Sequence, residues 1–451
     1  MKGLYENLFY SKRVNEIFTP KILVQHMLQF EAALANAQAA HFLIPVDAAK
    51  IIEENCTISN INFDTFTTDI ALGGNAAIPL VKQLTAAIKN KDTEAAKYVH
   101  LGATSQDVID TATVLQLQSA LKLIDEDIQQ LIHQLVLLIE WHRNTIMIGR
   151  SFMQHARPIS FGFKVAEWLD GLLRSKKRVE KLLAENLVLQ LGGSVGTLSG
   201  LEDKGVWVAE TMCSILQLNM PSIPWHTQRD RFAEIATTLG ILAGSVGKIA
   251  KDICLLTQTE IAEVFEPAAP GKGGSSTMPH KRNPVGCVAI LSNASRLPAL
   301  VSTMLNCMVQ DHERATGNWH AEWETLAEIV QLTAGALQQA CIVTNGLEVD
   351  AEKMRSNIDL TNGLVYAENV SLALAKKVGK QAAHTLMEAL CKEALGLKIH
   401  LKELVKKNDI VTKYLSSTQM DDLFAPENST GLAEVFIDRV IDETKKMNTI
   451  R

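Results

Sequence analysis

Two long apolar seams in the middle of the 451-residue chain constrain its fold more than any other feature. The first follows alternating steps of four and three residues from Leu117 to Leu138, and the second runs from Phe232 to Leu256. Such spacing places the apolar side chains on one face of a helix, as in the long helices of a bundle. With a rise of about 1.5 Å per residue, the second seam spans roughly 36 Å. We therefore predict an extended helical bundle whose seams form the core and also bury against other subunits.

The composition favours a fold built from helices. Aromatic residues make up 5% of the chain and only 12 prolines occur in it, whereas strands are enriched in aromatic and β-branched residues. Breaks in the pattern predict an all-α chain of three regions: an N-terminal helical domain over 1–110, a central long-helix bundle over 111–350, and a C-terminal helical domain over 351–451. The shorter helices that we expect cover residues 20–40, 78–90, 363–378, 380–395 and 430–446.

Charge, hydropathy and cysteine content exclude several classes of protein. The net charge of −6 argues against a nucleic-acid-binding protein, because such proteins need a basic face. We find no uninterrupted apolar run of about 18 residues and therefore predict no membrane span. The seven cysteines are odd in number and contain no C-x-x-C pair, and the chain starts without the apolar core of a signal peptide. We predict a reduced, cytoplasmic protein.

The motifs that bind metals and nucleotide cofactors do not occur in the sequence. There is no H-E-x-x-H motif, and His312 and His320 lack the spacing of a helical metal-binding pair. Neither a Walker A sequence nor a G-x-G-x-x-G fingerprint occurs. We therefore predict an activity that uses no metal and no cofactor.

The most informative polar stretch is residues 271–284, which read G-K-G-G-S-S-T-M-P-H-K-R-N-P. Its glycines let the backbone approach a ligand closely, and its two serines offer hydroxyl groups. Lys281 and Arg282 add positive charge next to the amide of Asn283. A stretch of this composition is typical of an ordinary loop. Hydroxyls followed by cations also suit a small polyanion whose charge grows during a reaction.

The position of this loop predicts how it is supported. The second seam ends near Leu256, and the helical pattern continues until Pro267 and Pro270 stop the helix. The glycine-rich loop starts at once. We therefore expect a mobile lid that is anchored on a long, rigid helix.

Three further polar segments have both a structural and a functional interpretation. Thr104 or Ser105 is typical of a helix N-cap, but a helix N-terminus with hydroxyls also binds carboxylates. Gln154 and His155 precede an apolar helix in what we expect to be a polar loop, where a histidine is either structural or part of a site. Arg229 lies in W-H-T-Q-R-D-R, which indicates either a lattice of surface ion pairs or a charge-balanced anion clamp.

Four segments in this order resemble the fumarase/aspartase superfamily. Residues 274–284 match its signature G-S-S-x-M-P-x-K-x-N-P at every fixed position. Residues 102–107, 225–231 and 312–326 are similar to the 3-carboxy-cis,cis-muconate cycloisomerase family within it. The likeness extends over essentially the whole chain. It implies an all-α, three-domain subunit with a central five-helix bundle. It also implies a homotetramer whose active sites each draw residues from three subunits.

The resemblance further implies an enzyme, an intramolecular lyase that closes 3-carboxy-cis,cis-muconate to 4-carboxymuconolactone. The reaction belongs to aromatic catabolism through protocatechuate, the β-ketoadipate pathway. A carboxylate adds across a double bond, charge flows into the neighbouring carboxylate to give an enediolate-like intermediate, and an acid protonates carbon. Preorganised donors stabilise such an intermediate, and losing one costs about 10²–10³ in rate.

Transferred to this sequence by motif position, the resemblance implies a role for each candidate residue. Ser276 is the proton carrier at carbon, which requires that loop N–H groups and Lys281 stabilise its alkoxide. Lys281 and Asn283 bind the carboxylate that becomes the enediolate. The expected catalytic residues are Ser276, His155 and Lys281, and the expected substrate-binding residues are Thr104, Ser105, Gln154, Asn283, His100, Arg229 and Arg282.

One position departs from the pattern of many lyases in the superfamily. These carry T-H-x-Q, with the histidine as the acid that protonates the leaving group, whereas Phe152 stands at that position here. A lactonisation has no leaving group to protonate, so this residue favours ring closure. The alternative is an adenylosuccinate lyase-like elimination that releases fumarate. A catalytically silent bundle protein is a third possibility, against which the intact Ser276, Lys281 and Asn283 speak.

Overall fold

A computed structural model gives the fold and describes residues 2–271, 273–274, 278 and 280–449. The α-helices, in chain order, are α1 (Lys2–Phe9), α2 (Lys12–Ile17), α3 (Pro20–Ala40), α4 (Val46–Asn55), α5 (Phe63–Gly73), α6 (Ala77–Lys89), α7 (Ser105–His142), α8 (Phe161–Glu185), α9 (Gly205–Leu216), α10 (Asp230–Leu256), α11 (Val285–Asn306), α12 (Asn318–Thr344), α13 (Ala351–Ile358), α14 (Ala367–Val378), α15 (Lys380–Leu397), α16 (Leu401–Lys407), α17 (Asp409–Tyr414), α18 (Ser417–Leu423) and α19 (Ala433–Thr449). The strands are β1 (Ile146–Ser151), β2 (Gln154–Ser160), β3 (Val264–Phe265) and β4 (Glu348–Val349). The all-α prediction is confirmed, and the strands form two small antiparallel pairs, β1 with β2 and β3 with β4.

The predicted seams lie on α7 and α10, and their core position is confirmed. Every seam residue from Leu117 to Leu138 is at most 3% exposed, and those from Phe232 to Leu256 are at most 4% exposed. This burial is reached within a single chain. The expectation that the seams also bury against other subunits is therefore wrong, because the chain's own side chains already cover them.

The five shorter helices occur close to their predicted bounds, as α3, α6, α14, α15 and α19. The largest difference is at the start of α14, which begins at Ala367 rather than at residue 363. Gly363 adopts a left-handed backbone with φ of 75°, and Leu364–Tyr366 forms a short 3-10 turn before the helix begins. The expected lid support is also different, because α10 ends at Leu256 and does not continue to the prolines. The chain turns there, with the N–H of Glu263 donating to the carbonyl of Leu256 at 2.9 Å, and then enters β3.

The chain folds as two compact units, each made of three separate segments. Unit 1 contains Met1–Gln129, Arg174–Gly247 and Ala289–Gln339, and unit 2 contains Gln130–Leu173, Lys248–Val288 and Ala340–Arg451. In unit 1, α3 packs on α4 and α9. In unit 2, the β1–β2 hairpin contacts α13, and α14 packs on α15 around a core that includes Tyr366, Leu374 and Leu390. The division into three domains in chain order remains a prediction.

Helices α11 and α12 are long and apolar enough to cross a membrane, by length and composition alone. In α12, 72% of the most apolar window is buried inside the protein, against 33% in α11. The core helix of a globular protein satisfies the same two criteria, so they are weak support for a membrane span.

Candidate active site

In unit 1, a strained turn leads into α7. His100 has a φ of 59°, and Gly102 has a φ of 74°. A Cβ atom at Gly102 would lie 2.5 Å from Cδ2 of Leu201, so only glycine fits there. A non-glycine residue in this backbone region persists only where its surroundings hold it, and such residues cluster at functional sites.

A buried carboxylate holds the side chain of this strained residue. Oε1 of Glu31, on α3, accepts a hydrogen bond from Nδ1 of His100 at 2.6 Å. Glu31 is 1% exposed, whereas the His100 side chain is 16% exposed. Burial disfavours the charged ring, but the negative charges of Glu31 and Asp107 outweigh it and raise the pKa of His100. The ring of His100 is therefore more readily protonated than an ordinary histidine.

A second carboxylate organises the N-terminus of α7. Asp107, in the first turn of the helix, accepts from the backbone N–H of Thr104 at 3.0 Å. It also accepts from the N–H groups of Gly192 and Gly193, each at 2.9 Å, and from Nε2 of His226 at 2.6 Å. An acidic side chain at this end of a helix is stabilised by the helix dipole. Asp107 thereby fixes the backbone that presents Thr104 and Ser105.

The predicted capping role of Thr104 and Ser105 is not seen at their side chains. Within the residues that the structure describes, no hydrogen bond involves either hydroxyl group, and both residues are half-buried. His100, Thr104 and Ser105 thus lie within six residues at the start of α7, and they offer a readily protonated ring and two hydroxyl groups with no hydrogen bond among the described residues. This arrangement suits a carboxylate ligand.

Arg229, predicted to contact substrate, lies deeper in unit 1. Its side chain is 1% exposed, and its guanidinium donates to both Asp110 and Glu322. The same group stacks over the rings of Trp225 and Phe232, at 4.9 and 4.8 Å from their centroids. Neither the surface lattice nor the anion clamp is correct, because Arg229 is enclosed by the protein's own carboxylates.

In unit 2, Gln154 and His155 lie on a strand rather than in the polar loop that we expected. β1 and β2 form a hairpin in which Ser151 pairs with Gln154 and Arg150 pairs with His155. The intervening residues, Phe152 and Met153, have φ values of 49° and 63°. A two-residue turn with positive φ at both positions normally uses Asn-Gly or similar residues. Phe152 is also fully exposed, so the hairpin tip presents a strained aromatic side chain to its surroundings.

An ion pair with a buried carboxylate holds this hairpin near its tip. Arg150 donates to both oxygens of Glu263, at 3.0 and 2.6 Å, and Nδ2 of Asn357 donates to the same carboxylate at 2.8 Å. Glu263 is completely buried. The turn that follows Leu256 brings this carboxylate to Arg150.

His155 lies beside that ion pair. Burial and, after it, the positive charge of Arg150 lower the pKa of His155, while Glu263 acts in the opposite sense. Its Nδ1 is buried and has no hydrogen-bond partner among the residues that the structure describes. The neutral ring is therefore the form present at pH 7.

The signature loop is closed at its base by its own backbone. The N–H of Asn283 donates to the carbonyl of Gly273 at 2.9 Å. Gly273 has a φ of 68°, and a Cβ there would lie 2.5 Å from the carbonyl oxygen of Asn283. Lys281 is exposed, and in the described part of the chain neither its ammonium group nor the amide of Asn283 has a side-chain partner. Ser276 lies outside the described residues.

Arg282 anchors the same loop. Its guanidinium donates to both oxygens of Glu348 on β4, at 2.9 and 2.7 Å, and to the carbonyl of Glu266 at 2.9 Å. The carboxylate of Glu266 in turn accepts from the N–H groups of Gly286 and Cys287 at the start of α11. A cavity of about 160 Å³ beside these groups is lined in part by Arg282 and Asn283. Arg282 therefore has a structural role at the loop base.

Several residues that shape these groups escaped the sequence analysis. They are Glu31, Asp107, Asp110, His226, Glu263, Glu266, Glu322 and Asn357. For Glu31 a signal exists: it occupies a position on the apolar stripe of α3 with Met27 and Leu34, where an unpaired charge is costly. For Glu263 no local signal exists, because its partners lie 113 and 94 residues away.

The helical fold and these polar groups define a class of protein. Comparison of the chain with known protein families identifies that class. A family model described as Lyase matches residues 10–298, and a model described as Adenylosuccinate lyase C-terminus matches residues 363–440. The chain therefore belongs to the lyase family, the fumarase/aspartase superfamily that its motifs resemble.

Individual relatives are similar over nearly the whole chain. The 3-carboxy-cis,cis-muconate cycloisomerase of Acinetobacter baylyi is 47% identical over 447 residues, covering 99% of both chains. The enzyme of the same name from Bradyrhizobium diazoefficiens is 48% identical over 423 residues, covering 94% of each. The crystal structure of the 3-carboxy-cis,cis-muconate lactonizing enzyme from Pseudomonas putida superposes with a TM-score of 0.94 at 44% identity, covering 99% of both chains.

Proposed function

We propose that this protein is a cycloisomerase that converts 3-carboxy-cis,cis-muconate to 4-carboxymuconolactone in the protocatechuate branch of aromatic catabolism. The observation that carries the proposal is the 47% identity, over 99% of both chains, to an enzyme of that name. The exposed Phe152 supports it, because the hairpin tip offers a ring where a lyase acting on a leaving group has an acid.

The reaction needs positive charge and preorganised donors. The substrate carries three carboxylates, one of which adds across a double bond while a second takes up the electrons as an enediolate. This intermediate is stabilised by donors that are fixed in place before charge develops. We assign the donors to two groups of residues.

In unit 1, Thr104, Ser105 and His100 bind one substrate carboxylate. The two hydroxyl groups and the readily protonated ring lie within six residues of the chain, and Asp107 fixes the backbone at Thr104. A carboxylate bound there is also stabilised by the positive end of α7.

In unit 2, Lys281 and Asn283 bind the carboxylate that becomes the enediolate. Their position next to the backbone closure with Gly273 supports this role, because the closure fixes Asn283 relative to the loop. Ser276 carries the proton to carbon, with its alkoxide stabilised by Lys281. Gln154 and the neutral His155 form the opposite wall of the site.

Two of the expected substrate ligands have other roles in this proposal. Arg229 donates to the carboxyl groups of Asp110 and Glu322 inside unit 1. Arg282 ties the loop base to Glu348. Neither guanidinium is assigned to the substrate.

We further propose that the enzyme is a cytoplasmic homotetramer whose active sites each draw residues from three subunits. The resemblance to the superfamily is the main support. Helix α11 adds to it, because only 33% of its most apolar window is buried within one chain. Val288 and Leu305 on this helix are 55% and 47% exposed, which favours burial against another subunit. Mass determination in solution tests the assembly.

The activity is tested by following the ultraviolet absorbance of 3-carboxy-cis,cis-muconate with purified protein. We expect the conjugated-diene absorbance to fall as the lactone forms, and Ser276→Ala to abolish turnover while the melting temperature stays nearly unchanged. Cleavage of adenylosuccinate with no change in the muconate would contradict the proposal and favour the elimination reaction. A wild-type rate in Ser276→Ala would remove Ser276 from the mechanism.

A further inference from the structure

The pair formed by Glu31 and His100 has a feature that fold stability alone does not explain. Glu31 is a buried carboxylate on an otherwise apolar stretch of α3. Oε1 meets His100, but Oε2 is buried and has no hydrogen-bond partner among the described residues. A buried charge with an unsatisfied oxygen is costly and is retained where it serves a specific group.

The geometry fixes the tautomer of the ring. A carboxylate oxygen only accepts hydrogen bonds, so Nδ1 of His100 carries the proton in the 2.6 Å contact. Within the described part of the chain, no hydrogen bond reaches Nε2. In the charged ring Nε2 also carries a proton and can donate it to an anion.

The backbone around the ring is held as firmly as the side chain. Nε2 of Gln38, on the same helix as Glu31, donates to the carbonyl of Leu101 at 2.7 Å. His100 itself keeps a φ of 59°. Two contacts from α3 therefore hold this turn in a backbone conformation that is unfavourable for histidine.

We propose that Glu31 is a positioning residue: its carboxylate orients the His100 ring and keeps it protonated, so that Nε2 donates to a substrate carboxylate bound at Thr104 and Ser105. This rests on the proposed function of the turn and adds to it the residue that sets the charge of the binding group.

Charge in the immediate surroundings supports the assignment. The groups that act on His100 are Glu31 from α3 and Asp107 from α7, both acidic. Two further titratable groups face the pair: His226, which is bound to Asp107 at 2.6 Å, and the buried Cys56 at the end of α4, whose pKa is raised by burial and by the charge of Glu31. Burial alone would lower the pKa of His100, and Glu31 is the largest contribution that raises it. Removing the charge of Glu31 therefore favours the neutral ring.

The test is binding of tricarballylate, an unreactive tricarboxylate, to the full-length protein by calorimetry between pH 5.5 and 8.5. Wild-type affinity falls as the pH rises through the raised pKa of His100. Glu31→Gln keeps the shape of the side chain and its hydrogen bond to His100 but removes the negative charge. The fall in tricarballylate affinity therefore moves to lower pH. At pH 7.5 the variant binds about tenfold more weakly, and at pH 5.5 it binds within about twofold of the wild type, since one pKa unit corresponds to a factor of ten.

A matched control is Glu94→Gln, which removes the same charge from an exposed site. Its binding curve coincides with that of the wild type. If Glu31→Gln gives that same curve, the proposal is overturned. If Glu31→Gln does not fold, His100→Gln replaces it, and we expect the pH-dependent step in its affinity to disappear. If the step persists in His100→Gln, the proposal is overturned. The proposal is also overturned if the wild type binds no tricarballylate at any pH.

The outcome is separable from the test of the proposed function. A wild type that turns over 3-carboxymuconate, with a pH dependence of binding unaffected by Glu31→Gln, contradicts only the role of Glu31. A wild type that binds tricarballylate with the expected shift in the variant, but leaves the muconate unchanged, contradicts only the proposed function.

Discussion

Two guanidinium nitrogens of Arg229, Nε and Nη2, donate to the carboxylate of Glu322 inside unit 1. Nε lies 3.0 and 3.1 Å from the two carboxylate oxygens, and Nη2 lies 2.5 Å from Oε2. Both side chains are at most 2% exposed. The same guanidinium reaches Asp110 at 2.7 and 3.1 Å, so one cation serves two buried carboxylates.

Removal of the Arg229 guanidinium leaves the buried carboxyl groups of Asp110 and Glu322 without their cationic partner. We expect Arg229→Met to lower the free energy of unfolding by about 3–5 kcal/mol, the cost of breaking a buried ion pair by deleting one partner. Denaturant unfolding followed by circular dichroism measures the loss. Arg355→Ala is the control, because its ion pair with Glu427 is half exposed on both sides and contributes at most about 1 kcal/mol. Equal losses in the two variants would contradict the importance of burial here.

The same network predicts a pH dependence of stability. Burial raises the pKa of Glu322 to about 7, against the opposing effect of Arg229 and with the help of Asp110. The folded protein therefore holds a proton that the unfolded chain releases near pH 4.5, so the free energy of unfolding falls as the pH rises from about 4.5 to 7.

Glu322→Gln removes the titrating carboxyl group, so the free energy of unfolding falls less steeply as the pH rises. Between pH 4.5 and 7, we expect the difference in unfolding free energy between wild type and variant to change by on the order of 1–3 kcal/mol. Denaturant unfolding at pH 5, 6 and 7 checks it. Glu324→Gln, on the exposed side of the same helix, keeps the wild-type slope. A variant at position 322 with an unaltered slope contradicts the raised pKa.

The sequence predicted the parts of the fold that depend on local pattern. The seams on α7 and α10 and the bounds of α3 and α6 follow from apolar spacing, which only the helix itself has to satisfy. The signature motif likewise indicated the loop and its family, because eleven adjacent residues carry that signal.

The parts that were missed depend on contacts between distant residues. After the end of α10 the chain turns and places Glu263 against Arg150 on the hairpin. Nothing in the residues after Leu256 reveals that partner. The hairpin itself was missed because its tip, Phe152 and Met153, lacks the residues that signal such a turn. Arg229 looked like a possible surface charge because its partners, Asp110 and Glu322, are distant from it in the sequence.

Gly273 closes the base of the signature loop, and a side chain there has no room. In Gly273→Ala the new Cβ would lie 2.5 Å from the carbonyl oxygen of Asn283. We expect kcat/KM for the muconate to fall by about tenfold or more, because a small misplacement of a binding group is costly. Thermal unfolding stays close to the wild type. Gly271→Ala is the matched control: its φ of 76° gives similar strain, but no atom lies within 4 Å of the added Cβ. Equal losses of activity would assign the effect to backbone strain.

The strained hairpin tip predicts that stability and activity change in opposite directions. Phe152→Asn combined with Met153→Gly supplies the residues that a turn with two positive φ values favours. We expect the unfolding free energy to rise by about 1 kcal/mol while turnover of the muconate falls, because Phe152 forms part of the proposed substrate pocket. Lys398→Gly, at a φ of 53° at the end of α15, relieves similar strain and leaves turnover unchanged. An unchanged rate in the hairpin variant would remove Phe152 from the pocket.

The charge of Arg150 sets the pH at which His155 becomes protonated. Burial and Arg150 both lower the pKa of His155, so the ring stays neutral until the pH falls below its ordinary value of 6.5. If the neutral ring is needed for turnover, kcat/KM falls on the acid side through this lowered pKa. Arg150→Gln removes the nearby cation and leaves Glu263, which favours the charged ring, so the acid limb moves to higher pH. Arg157→Gln on the same hairpin, whose cation pairs with Glu368 at the surface, leaves the profile in place. A profile that does not move in Arg150→Gln would show that His155 does not govern the acid limb.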